Sequence, residues 1–209
     1  RGNASLEAES SVNADLGLRL QRDNLNASAT VFRNEIDNYI YLANTGTVHA
    51  GSGLPIYQSE QGDARLEGIE LNLQAGLLPW LELQASYEAL QGELTDTGND
   101  LPLLPANRLR AKLKLDWPAW HSLRSLRAHV GVNHSWDKSA AGRYEPFAQF
   151  DNNSFGTAST DAYTLWELGA GFDIPLDSYR NMAVDLRVEN LFDTDYRDFL
   201  DTYKGYAIG

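Results

Sequence analysis

Apolar and polar residues alternate along nearly the whole chain with a period of two, the mark of strands with two chemically different faces. The alternation predicts eight strands, at about 12–20, 25–42, 63–75, 80–89, 106–117, 123–136, 160–174 and 181–191, the second with a bend or bulge between Asn34 and Asp37. One parity of each is apolar: Leu16, Leu18 and Leu20; Ile69, Leu71 and Leu73; Leu109, Ala111, Leu113 and Leu115; Trp166, Leu168, Ala170 and Phe172. The other parity carries charge, most densely as Arg108, Arg110, Lys112 and Lys114, with Glu82, Glu88, Arg127, Glu167, Asp185 and Arg187 elsewhere.

Two architectures accept this pattern, a soluble sandwich with the apolar face inward and a membrane barrel with that face outward against lipid. The connections separate them, because they alternate short and long. Gln21–Asn24, Gly76–Pro79, Pro118–Ser122 and Pro175–Arg180 are short, whereas Ala43–Gly62, Leu90–Pro105 and Asp137–Ser159 are long. Short turns on one rim and long loops on the other belong to an outer-membrane barrel. Trp80, Trp117 and Trp120 beside the short turns, and Tyr39, Tyr41, Tyr87 and Trp136 near the long loops, resemble two interfacial girdles. Most runs also reach the roughly 9 to 11 residues that a tilted strand needs to cross hydrocarbon.

Composition narrows the function classes. The 209 residues hold no cysteine, 17 Lys+Arg against 29 Asp+Glu, and a net charge of −12. That removes disulfide frameworks, thiolate metal sites and cysteine nucleophiles, and argues against a nucleic-acid partner. No apolar run approaches the roughly 20 residues of a membrane-spanning helix. The start, Arg1-Gly2-Asn3-Ala4-Ser5, lacks the form of a secretion signal.

The last third reads Val188-Glu189-Asn190-Leu191-Phe192-Asp193-Thr194-Asp195-Tyr196-Arg197-Asp198-Phe199. The stretch resembles the carboxy-terminal end of TonB-dependent outer-membrane receptors, where an Asn-Leu-Phe-Asp segment ends the penultimate strand and a Tyr-Arg loop follows. Gly2-Asn3 through Leu6, Glu7 and Glu9 into Asn13-Ala14-Asp15-Leu16 is similar to that family's approach to a mid-barrel strand, and Ala29 to Ile40 to the strand after it. The resemblance spans essentially the whole chain. It implies an all-β fold, residues 1–209 being one antiparallel transmembrane β-barrel segment, about eight strands of a larger barrel of about 22. The plug and the last strand of such a receptor are absent from this sequence.

Enzyme chemistry is thin. His49, His121, His129 and His134 have no metal-ligand or acid–base spacing, so no catalytic residue, metal or cofactor is expected. The ladder Arg108 to Lys114 either steers an anionic ligand or pairs with neighbouring acids such as Glu82 and Glu88, and pairing is the reading favoured. Ligand contacts are expected in the loop Asp137–Ser159, at Arg143, Tyr144, Glu145, Phe147, Phe150 and Asp151, and in the tail, at Tyr196, Arg197, Tyr203 and Lys204. The alternative for these aromatics is packing of loop on loop.

What the resemblance implies is energised import, at the bacterial outer membrane, of a scarce nutrient such as a ferric siderophore, haem or a metal complex. Its partners would be outer-membrane lipid, a small metal chelate, and the inner-membrane TonB complex reached through the absent plug. A small structural or adhesion barrel, a soluble β-sandwich binding module and an outer-membrane lipase or protease are the alternatives.

Overall fold

A computed structural model of the protein describes residues 3–53, 55–101, 103–139, 147–150, 153–155 and 159–201. Its strands are β1 (Ser10–Arg22), β2 (Leu25–Val48), β3 (Pro55–Leu78), β4 (Leu81–Leu94), β5 (Asn99–Asp100), β6 (Arg108–Trp120), β7 (Leu123–Ser135), β8 (Phe147–Phe150), β9 (Asn153–Phe155), β10 (Tyr163–Pro175) and β11 (Asn181–Val188). The main sheet runs β1-β2-β3-β4-β6-β7-β10-β11, every neighbour antiparallel, with β5 added to the upper edge of β4 and β8–β9 a separate hairpin. Eight long strands therefore form one meander, as the alternation predicts.

Register explains why the two faces stay apart over the whole sheet. One lateral row reads Leu25, Ala75, Leu83, Leu113, Val130, Leu168 and Val188 across seven strands. The row one residue away reads Gln21, Asn26, Gln74, Gln84, Lys112, Gly131 and Glu167. A slip of one residue anywhere would mix them.

The apolar rows lie open. Leu16, Leu18 and Leu186 are 67%, 72% and 68% exposed. Among the described hydrophobic residues only Ala43, Ala64, Leu94, Leu101, Ala106, Tyr163 and Phe199 are buried, all toward the long-connection end. A sandwich would hide the long apolar rows between two sheets, so the sandwich alternative fails. The polar face is instead concave, and one cavity of about 870 Å³ is lined by residues of all eight meander strands, from Arg19 and Gln21 on β1 to Arg187 on β11. The sheet is thus a curved wall, polar within and apolar without. Because β1 and β11 are the two ends of the sheet order, it is not a closed eight-stranded barrel either.

The short turns tie the strands tightly. In the β10–β11 turn Asp177 Oδ1 accepts the amides of Tyr179 (2.8 Å) and Arg180 (2.9 Å), and its Oδ2 accepts Arg180 Nε at 2.6 Å. Those amides, Tyr179 first, and the guanidinium hold the carboxyl below its ordinary range.

At the other rim the structure departs from the expected loops. β2 and β3 run on as a 24-residue pair, so most of Ala43–Gly62 is ladder rather than loop. The sequence signal fades there because the register shifts between the pairs Ile36–Ala64 and Tyr39–Gly62. Asn38 takes a φ of 58° at this bulge, a conformation that Asn tolerates. Its amide donates to Asp63 Oδ1 at 3.2 Å, and the next freed amide, of Ile40, donates to Glu9 Oε1 at 2.6 Å. The bulge exchanges the faces, so Tyr39 and Tyr41, expected in the outer girdle, turn inward. They stack with centroids 6.3 Å apart against Ala43, Ala64, Leu94 and Leu101.

Candidate functional site: the inner wall and its outer rim

Along the strands that cross the membrane the inner wall is held by ion pairs that jump from strand to strand. Glu167 on β10 receives Lys112 Nζ of β6 at 2.5 Å and Arg187 Nη2 of β11 at 2.7 Å, and His129 Nε2 lies 3.7 Å away. Arg187 also reaches Glu189 at 2.8 Å. Nearer the short turns, Arg127 makes a two-pronged contact with Asp185 (2.7 and 2.8 Å) and another with Asp173 at 3.0 Å.

Glycines make these spans possible. Gly131 lies in register between Lys112 and Glu167, and a Cβ there would stand 2.7 Å from Glu167 Cγ. At Gly169, opposite His129, it would overlap the imidazole. The sequence reading missed this use of glycine, because the reason for each lies on a neighbouring strand.

The basic ladder resolves into pairs: Arg110 with Glu88 at 3.2 Å, Lys114 with Glu82 at 3.9 Å, Lys112 with Glu167, and Arg108 with Asp198. Pairing, the favoured reading, accounts for all four cations. The basic ladder is thus wet and charged yet locally compensated. Among the described residues no group of three or more His, Asp or Glu is placed to hold a metal ion.

At the upper rim Arg108 of β6, Ser135 of β7 and Tyr163 of β10 share one row. Across it folds the chain that follows β11. The Tyr163 hydroxyl donates to Asp198 Oδ2 at 2.9 Å, Arg108 Nη2 donates to the same oxygen, and Leu200 N–H donates to Oδ1 at 3.0 Å. Burial opposes ionisation of Asp198, but these contacts together outweigh it and hold the carboxyl below its ordinary value.

Of the ligand contacts expected from sequence, Tyr196 lines the 870 Å³ cavity and sits with its ring 4.7 Å from that of Tyr163. Arg197 is exposed beside it. Phe147 and Phe150 belong to β8, on the long-connection side. Arg143, Tyr144, Glu145, Asp151, Tyr203 and Lys204 lie outside the described residues.

The outward face carries the girdles. Trp80 and Trp117 meet edge-on at 5.9 Å beside the short turns. Toward the other rim Trp136 meets Tyr87 at 5.6 Å and His134 at 4.6 Å, and His134 Nδ1 bonds Thr164 Oγ1 at 2.8 Å. Amphipathic rings at both edges of an apolar band suit the two boundaries of a bilayer.

Residues 1–191 match the family described as TonB dependent receptor-like, beta-barrel. The ferric enterobactin receptor PirA of Pseudomonas aeruginosa is 33% identical over 197 residues, covering 92% of this chain and 24% of that protein. A crystal structure of the ferric enterobactin receptor PfeA, also of Pseudomonas aeruginosa, superposes with a TM-score of 0.65 at 28% identity, over 93% of this chain and 27% of that one. The copper transporter OprC shares the fold with a TM-score of 0.75 at 20% identity, over 94% of this chain and 27% of its own. The chain therefore spans about a quarter of the length of these relatives. These relatives are receptors and transporters rather than enzymes, and the apolar outer face belongs in the outer membrane. With its polar concave wall, its lipid-facing band and its match over residues 1–191, the chain belongs to the TonB-dependent receptor family, as part of its β-barrel.

Proposed function

We propose that this chain is the carboxy-terminal part of the barrel of an outer-membrane receptor that imports a scarce nutrient, in the first place a ferric siderophore. Haem and other metal complexes are cargoes of the same class. The observation that carries this reading is the 33% identity to a ferric enterobactin receptor over 92% of the chain.

In this reading the inner wall passes a polar cargo while its compensated ion pairs keep the cargo from sticking. The long connections catch it outside, through Arg143, Tyr144, Glu145, Phe147, Phe150 and Asp151 and, from the tail, Tyr196, Arg197, Tyr203 and Lys204. Energy comes from the inner-membrane TonB complex acting on a plug that lies outside this sequence.

The test is uptake of radiolabelled iron as ferric enterobactin by cells whose only siderophore receptor is the full-length protein containing this segment. The reading predicts saturable uptake that disappears when TonB is deleted. Absence of both binding and uptake of ferric enterobactin would overturn the siderophore assignment.

A further inference from the structure

The Asn-Leu-Phe-Asp…Tyr-Arg segment was legible as a motif, and its structure gives it a specific form. Residues 189–201 leave β11 and fold back over the inner wall, held by two anchors of different kinds.

The first is local. Leu191 N–H donates to the carbonyl of Trp166 at 2.9 Å. Asn190 and Thr194 bond reciprocally, Asn190 Oδ1 accepting the Thr194 amide at 2.9 Å and Asn190 Nδ2 donating to the Thr194 carbonyl at 3.1 Å. Asn190 (φ 48°) and Asp193 (φ 51°) supply the left-handed turns that send the chain inward.

The second anchor is distal and rests on charge. Asp198 reaches across β10 and β7 to Arg108 on β6, 90 positions earlier in the chain, and takes the Tyr163 hydroxyl on the way. Phe199 next to it is buried at 2% exposure, with Lys138 Nζ 5.8 Å from its ring centre. Between the anchors lies Tyr196, lining the cavity that all eight strands share.

We propose that Arg108 and Asp198 are positioning residues that latch the 189–201 strap across the inner wall and so present Tyr196 to the lumen. The Asn190–Thr194 bonds and the Asp198 carboxylate bonds are made to different residues, so the distal anchor can be released while the proximal one stays. The importance of the lumen as a ligand path rests on the proposed function, but the latch is tested without a ligand.

Hydrogen exchange in the full-length receptor, folded in detergent micelles, reads each anchor through its own amides. Leu200 N–H donates to the Asp198 carboxylate and Asp201 N–H to the Asp198 carbonyl, whereas Thr194 N–H belongs to the proximal anchor. Arg108→Gln leaves the strap sequence intact, and the latch predicts that it speeds exchange at Leu200 and Asp201 by about tenfold or more, the scale of a lost hydrogen bond to a charged group. Thr194 and the β10 amides should keep their wild-type rates. Asp198→Asn should do the same, and the double variant should add nothing, because both members of one pair are then already uncoupled. Unchanged exchange at Leu200 and Asp201 in Arg108→Gln would overturn the proposal. Acceleration spread over Thr194 and all of β10 would also overturn it, by making the pair a general support of the wall. Failure of ferric enterobactin uptake would leave these exchange results standing, and the reverse holds equally.

Discussion

Lys112 Nζ and Glu167 Oε1 meet at 2.5 Å although an entire strand, β7, runs between their backbones. They meet over Gly131, the one residue of that row without a side chain to intervene. Restoring a side chain there should force Glu167 aside. Gly131→Ala is expected to lower the stability of the full-length receptor by about 1–3 kcal/mol, the usual cost of overpacking. In a Glu167→Ala background most of that Gly131→Ala penalty should disappear. Urea unfolding in lipid vesicles measures both, and a Gly131→Ala penalty that is unchanged without the Glu167 side chain would refute the steric account.

The two faces predict opposite responses to charge. Leu113 lies mid-row on the outward face, so Leu113→Arg should cost about 2–4 kcal/mol against lipid. Its neighbour Lys112 faces the lumen, where Lys112→Leu leaves Glu167 still paired with Arg187. The expected result is loss of the Leu113→Arg receptor from outer-membrane fractions and near-normal amounts of Lys112→Leu. Equal assembly of the two would contradict the facing.

The upper inner wall has a small apolar core of its own. Leu94 is 2% exposed and packs with Ala43, Ala64 and Leu101, pinning Leu101 and Leu104 against the inside of β3 and β4. Leu94→Ala should cost about 2–5 kcal/mol, as buried Leu truncations do. It should also free the amide of Leu101, which donates to the Gly92 carbonyl at 2.9 Å, and hydrogen exchange at Leu101 checks it.

Acid should release the strap only late. Asp198 faces Arg108 from β6 and Tyr163 from β10, with Lys138 beside the adjoining Phe199. Burial opposes ionisation, but the Leu200 amide, the Tyr163 hydroxyl and the Arg108 guanidinium together hold its carboxyl below the ordinary value of 3.8. A carboxyl lowered by folding stabilises above its unfolded pKa, and that contribution is lost as pH falls through the folded value. The strap should therefore stay latched at about pH 5 and loosen below the ordinary carboxylate range. Exchange at Asp201 across that interval reports it, and Asp198→Asn should abolish the dependence.

Much of the wall was legible because a strand with one greasy and one wet face must alternate. Leu109 to Leu115 against Arg108 to Lys114 fixed both the strand and its facing. Alternation fails where register changes: the bulge at 37–38 swaps parity, which hid residues 43–48 of β2 and 55–62 of β3 and misplaced Tyr39 and Tyr41. Relationships across strands leave no local trace. Gly169 is small because of His129, and Asp198 matters because of Arg108, and neither partner is near in sequence. Tyr196 was found by its company in a recognisable motif, whereas its place on the lumen depended on the fold.

The strand β6 should have lipid on one side and water on the other, and site-directed spin labelling along it reads both faces. Single cysteines at positions 109 to 115 of the full-length receptor, labelled in lipid bilayers, are read for collisions with oxygen and with a water-soluble nickel chelate. A period of two is expected, with Leu109, Ala111, Leu113 and Leu115 positions accessible to oxygen and Arg110, Lys112 and Lys114 positions to the chelate. Uniform accessibility along the strand, or the reverse phase, would contradict it.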